Sequence, residues 1–147
     1  MHNSSDICNM KVAYDLAEVE KVAQDVWQSF SEVDVWALHG DMGVGKTTFV
    51  RALCRYVLRS TDNISSPTFA MINQYESHHG TISHIDLYRL ADAEEAINAG
   101  VQEAMDSARL SLVEWPEIAP ELLPEKTLHL YFTIQPDNKR CLETTLS

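Results

Sequence analysis

The residues Gly40-Asp41-Met42-Gly43-Val44-Gly45-Lys46-Thr47 fit the spacing G-x-x-x-x-G-K-[ST]. Three of the chain's five glycines stand in this run. Glycine lets the backbone take up positive φ and bring its N–H groups close to phosphate oxygens. A helix that follows offers free N–H groups and the positive end of its dipole. The segment Asp41, Met42, Gly43, Val44, Gly45, Lys46, Thr47 and Thr48 is therefore the predicted nucleotide-binding stretch. Lys46 would reach the β- and γ-phosphates, and the Thr47 hydroxyl would ligate Mg2+. The plain alternative is a tight strand-to-helix turn with a chance lysine. The context decides for nucleotide binding, because an apolar strand-like run precedes the loop and a helix-capable run follows it.

A phosphate loop that does chemistry needs a carboxylate to hold Mg2+ and a group to place the attacking water. Two strand ends supply acids. Leu110-Ser111-Leu112-Val113-Glu114 is an apolar run ending in an acid, with Glu where Asp is usual. His84-Ile85-Asp86 ends another strand. In open α/β sheets, ligands bind outside the carboxyl ends of parallel strands. Trp115 would shield the metal site from water, or simply pack. Thr68, in Ser65-Ser66-Pro67-Thr68, offers a hydroxyl to a γ-phosphate, against the alternative of an ordinary Ser-Pro turn.

The base is read as adenine rather than guanine. Asn138-Lys139-Arg140-Cys141 lacks the Asp of N-K-x-D, and Asp86-Leu87-Tyr88-Arg89 lacks the Gly of D-x-x-G. The predicted cofactors are thus ATP and Mg2+. A small-molecule kinase brings a lid rich in basic residues to its acceptor, and no such cluster stands out here. That kinase remains an alternative, as does a switch module in which ATP occupancy alone matters.

These residues need a frame. Residues 9–13 read as an edge strand and 16–30 as a helix with apolar residues at helical spacing. Asp15 and Glu18 suit a capping-box start. Residues 33–39 suit a buried strand, and a helix runs from the loop to about residue 59. Residues 68–76 and 81–88 read as a hairpin around Ser77-His78-His79-Gly80. Short helices follow at 92–99 and 102–107, then strands at 109–114, 127–135 and 140–146, the last two joined by Pro136-Asp137-Asn138. The expected fold class is α/β, P-loop NTPase-like, with a central mostly parallel sheet, flanking helices and antiparallel hairpins.

At 147 residues the chain reads as one domain, 1–147. Asp plus Glu number 22 against 11 for Lys plus Arg, a net charge of -11, which disfavours binding to DNA, RNA or anionic membrane by the surface as a whole. The three cysteines, Cys8, Cys54 and Cys141, form no C-x-x-C pair, and no run reaches membrane-spanning length. The cytosol is the expected compartment. Arg51, Arg55 and Arg59, at i, i+4 and i+8, are expected on one helix face. A solvated face is favoured there over a partner contact. His78 and His79 are expected as exposed turn residues, and a zinc site with His84 is disfavoured.

Taken together, the phosphate loop, Ser66-Pro67-Thr68-Phe69, His84-Ile85-Asp86-Leu87-Tyr88-Arg89-Leu90 and Glu114-Trp115-Pro116-Glu117 resemble, in order and spacing, the TsaE (YjeE) family of bacterial ATPases. The resemblance runs from about residue 15 to 135. It implies a small P-loop domain with weak ATPase activity, stimulated by the partners TsaB and TsaD. That pair forms threonylcarbamoyladenosine at position 37 of tRNA. The family member resets the complex rather than transferring the group, and meets tRNA only through it. The resemblance gives Lys46 and Thr47 their phosphate-loop roles, makes Glu114 a Mg2+ ligand and implicates Asp86 in hydrolysis. It places Thr68 in a switch-like segment, Trp115 beside the metal ligand, and Lys139 or Arg140 near the nucleotide.

Overall fold

The computed structural model describes residues 9–62 and 71–147. Four strands run parallel in the middle of a seven-stranded sheet. They are β6 (Leu128–Ile134), β2 (Val35–His39), β5 (Leu110–Glu114) and β4 (Gly80–Asp86), side by side in that order. β7 (Arg140–Leu146) and β1 (Asn9–Tyr14) extend the sheet antiparallel beyond β6, and β3 (Ile72–Ser77) closes the other edge. β2 and β5 are apolar almost throughout because both of their faces are covered.

Alternate side chains of these strands enter two separate cores. Trp36, Leu38, Leu110 and Leu112 pack with α1 (Val19–Phe30) and α2 (Lys46–Ala52) on one face. Val35, Ile85 and Val113 pack with α3 (Ala93–Asn98) and α4 (Val101–Asp106) on the other. The predicted capping box opens the first helical segment, where the Glu18 carboxylate accepts the Asp15 N–H at 2.8 Å. That opening turn, Leu16–Glu18, is a 3-10 turn, and α1 follows it.

Two of the boundary differences from the sequence expectation have a clear physical cause. The helix after the phosphate loop does not continue as α-helix to residue 59. It widens into a π turn over Leu53–Val57, with Leu58 N–H donating to Leu53 O at 2.9 Å. The extra residue keeps Leu53, Cys54 and Leu58 buried against the sheet. Arg59 lies past the helix end with φ 63. Arg51, Arg55 and Arg59 therefore do not share one α-helical face, although all three are exposed. The second is the strand expected over 81–88, which stops at Asp86. There the Asp86 carboxylate accepts the Tyr88 N–H at 2.9 Å, and Leu87 N–H turns to Glu114 O at 3.1 Å. Part of the strand expected over 68–76 lies outside the described residues, and β3 begins at Ile72.

Phe49 ties the phosphate-loop helix to the sheet. It is fully buried and meets Phe132 edge-on, with ring centroids 5.3 Å apart. Phe49→Ala is expected to cost about 3–5 kcal/mol of stability. Urea denaturation checks this, through a lowered midpoint at unchanged slope.

Candidate functional site

β2 ends at His39, and the chain turns at once into the phosphate loop. Gly40 has φ 144, and a Cβ placed there would lie 2.8 Å from Phe132 O, so only glycine fits the turn. Gly45 has φ 107 and caps α2. Asp41, Met42 and Gly43 are exposed along the loop, Val44 is buried, and Thr47 and Thr48 sit half-buried in the first turn of α2. A methyl group added at Gly45 would sit 3.6 Å from Arg140 Nε, so the Arg140 side chain runs beside the loop. Arg140 also donates to Asn138 O at 3.0 Å. Of the two hairpin cations singled out from sequence, Arg140 is the one brought to the loop. Lys139 is exposed, with its backbone N–H held by Asp137 in the turn.

Lys46 is 5% exposed. Its ammonium donates to Gly40 O at 2.5 Å, lies 4.0 Å from Glu114 Oε1 and sits 4.3 Å from the centre of the Trp115 ring. Burial holds its pKa below the usual lysine range, while the charges of Glu114 and then Asp86 pull it back up. The Trp115 backbone is left-handed, at φ 57, which is a strained conformation for a bulky residue. The strain turns the chain sharply off β5 and lays the indole beside Lys46. The Tyr88 ring also packs against the Trp115 ring, at a tilt of 46° with centroids 4.9 Å apart.

The parallel register sets Asp86 directly beside Glu114, so both acids emerge on one face at the carboxyl edge of the sheet. Burial pushes the Asp86 carboxyl above the usual carboxylate range. The Tyr88 N–H opposes the rise, and the Glu114 charge adds to it. Thr68 lies outside the described residues. Among those described, the sheet gathers Lys46, Asp86, Glu114 and Trp115 at one place, with Thr47 one residue along α2.

One residue of this site escaped the sequence reading. His84 is fully buried, and its Nε2 donates to Glu114 Oε2 at 2.6 Å. The alternation H-x-D was the available signal, because it puts His84 and Asp86 on the same face of one strand. His78 and His79 are exposed in the turn, so the three histidines do not cluster. Among the described residues, no group of three or more His, Cys, Asp or Glu is arranged to hold a metal ion. The oxygen donors present, the Thr47 hydroxyl and the two carboxylates, are of the hard type that suits Mg2+.

A phosphate loop leaving the central strand of a parallel sheet, with acids at the neighbouring strand ends, defines the P-loop NTPase fold. The crystal structure of Bacillus subtilis YdiB shares this architecture, with a TM-score of 0.74 and 26% sequence identity over 95% of this chain and 86% of that one. The family model described as "Threonylcarbamoyl adenosine biosynthesis protein TsaE" matches residues 13–142. The TsaE protein of Rickettsia bellii is 36% identical over 145 residues, covering 99% of this chain and 96% of the relative. That of Bacillus subtilis is 35% identical over 107 residues, covering 73% and 66%. The chain belongs to the TsaE family.

The raised Asp86 pKa has a consequence for stability. A carboxyl whose folded pKa lies above its unfolded value favours the fold most when protonated, and that favour is lost as pH rises through the folded pKa. Asp86→Asn removes the buried charge and keeps the oxygen that accepts from Tyr88. It should raise the melting temperature at pH 7. The gain should shrink as pH falls toward the ordinary carboxylate range, where the wild-type group is also neutral. Thermal denaturation of both proteins across that range checks the sign.

Proposed function

We propose that this chain is a Mg2+-dependent ATPase that drives turnover of a TsaB–TsaD complex forming threonylcarbamoyladenosine at position 37 of tRNA. It does not itself transfer the threonylcarbamoyl group. The observation that carries the reading is the convergence of Lys46, Glu114 and Asp86 at the carboxyl edge of the sheet, beside the phosphate loop.

In this reading the loop N–H groups and Lys46 bind and orient the β- and γ-phosphates, and Arg140 adds a second cation beside Gly45. Thr47 and Glu114 would hold Mg2+, which supplies charge neutralisation at the phosphates when bound. Asp86 orients the attacking water. The oxygen of that water bonds to the γ-phosphorus, the bond to the bridging oxygen breaks with its electron pair staying on ADP, and ADP and hydrogen phosphate leave as one water proton is released to solvent. Lys46 follows the charge that develops on the leaving oxygen. Trp115 and Tyr88 keep bulk water from the lysine side of the site. The acidic surface accords with action through protein partners, with tRNA met only through them, and with residence in the cytosol, where tRNA is modified. No described helix is long and apolar enough to cross a membrane.

The experiment is ATP turnover with Mg2+ by the protein alone and then with purified TsaB and TsaD. Strong stimulation by the pair is expected, with ADP and inorganic phosphate as the only products. Lys46→Ala should weaken nucleotide binding. Glu114→Ala and Asp86→Ala should each cut stimulated turnover by about 100-fold or more, with a smaller change in ATP affinity. Unchanged turnover in both acid variants would overturn the residue roles. Repeated rounds of tRNA modification by a variant that binds ATP without hydrolysing it would show that occupancy alone is the signal. Phosphoryl transfer to an added small molecule would make the protein a kinase.

A further inference from the structure

We propose that His84 is the positioning residue for the Glu114 carboxylate, holding one oxygen so that the other is presented to the metal side of the site. The proposal rests on the Mg2+-ATPase reading above.

The geometry is specific. Glu114 is one methylene longer than the Asp usual at such a strand end, so its carboxylate has an additional bond to rotate about. A flexible ligand loses conformational freedom when it is fixed, and Mg2+ demands near-ideal octahedral geometry. In this fold the carboxylate is already fixed from one side. His84 Nε2 donates to Oε2 at 2.6 Å, while Oε1 faces the Lys46 ammonium at 4.0 Å. The donor is rigid, because His84 is fully buried within β4, with the Tyr75 ring 6.2 Å from its own. The strand register explains the spacing. Asp86 is level with Glu114, His84 is level with Leu112, and the Glu114 side chain reaches back along its strand to the histidine. Alternation within β4 thus gives its two ionisable residues, His84 and Asp86, separate tasks on one face. Asp86 stands at the open edge, and His84 lies one step deeper as a brace. Partners of this kind that orient a metal ligand are typically worth about 10–100-fold in metal affinity or activity.

A histidine that merely filled the core would show a different pattern. Its ring would matter and its N–H would not. Two substitutions separate these roles. His84→Phe keeps a ring and removes the donor. His84→Gln removes the ring and keeps an N–H at the reach of Nε2. The readout is Mn2+ binding to the full chain in the presence of ADP, followed by electron paramagnetic resonance. Mg2+ dependence of stimulated turnover and ADP affinity in chelator are measured alongside. His84→Phe is expected to weaken Mn2+ binding by about 10–100-fold and to shift the half-saturating Mg2+ concentration by a similar factor. Metal-free ADP affinity should stay within about twofold of wild type, since the brace acts through the metal ligand. His84→Gln should restore most of the loss.

Wild-type Mn2+ binding in His84→Phe overturns the proposal, and so does equal loss in both variants. If His84→Phe does not fold, His84→Asn carries the test, because its shorter amide falls short of the position from which Nε2 reaches Glu114 Oε2. Comparable loss supports the brace, and Mn2+ affinity equal to wild type overturns it. A wild-type protein that binds Mn2+ with ADP yet shows no turnover sinks the ATPase reading and leaves this test standing. A wild-type protein that takes up no Mn2+ with ADP overturns both.

Discussion

A lysine ammonium taken out of water needs acceptors and a counter-charge, and the carboxyl edge of this sheet is arranged around that need. Lys46 is buried by the turn that puts it at the head of α2. Gly40 can offer its carbonyl to the ammonium because the loop folds back on itself, a path that glycine alone can follow at that position. Glu114 supplies the opposite charge, and it can do so only because β5 lies next to β2 with Leu38 level with Glu114. Trp115 covers the remaining side at the expense of a left-handed backbone. Remove the buried cation from this picture and the strained tryptophan, the buried glutamate and the tight Gly40 turn lose their common purpose.

The parallel register turns this local need into a site. Strands β2, β5 and β4 end at nearly the same level, so their last residues come together although they are far apart in the chain. β5 is mostly apolar before Glu114, β4 sends Ile82 to one core and Ile85 to the other, and both strands end in an acid. Apolar burial on both faces of the sheet body provides the stabilisation. The costly burial of Lys46, Glu114 and part of Asp86 is confined to one edge. The separation lets a chain of this size keep a poorly solvated polar cluster without weakening the body of the sheet.

The parts of the fold legible in the sequence were those set by local spacing. The phosphate loop is contiguous, so its residues and its strand–loop–helix context could be read directly. Glu114 was legible because it closes an apolar run, and Asp86 because it ends a strand-like segment. The departures came from tertiary contacts. Helical periodicity continues past Ala52, but packing of Leu53, Cys54 and Leu58 against the sheet widens the helix and breaks the expected arginine face. Between Lys139 and Arg140 the sequence offered no choice. The hairpin register decides it by pairing Arg140 with Ile134 and Tyr14, which carries its side chain to Gly45. His84 was grouped with its turn neighbours because its partner lies 30 positions away across a strand boundary.

A histidine inside an apolar strand is costly unless its ring nitrogen finds a partner. The alternation of a strand restricts that partner to the same face, and parallel pairing restricts it further to the neighbouring strand at nearly the same level. For His84 the partner found is Glu114 on β5, two residues beyond the level position, whose long side chain reaches back to Nε2. The substitution of Glu for the usual Asp and the presence of His two residues before Asp86 are thus one structural feature written in two places. A longer acid gains reach and loses rigidity. The buried imidazole returns the rigidity by tying down one oxygen and leaving the other turned toward the phosphate loop.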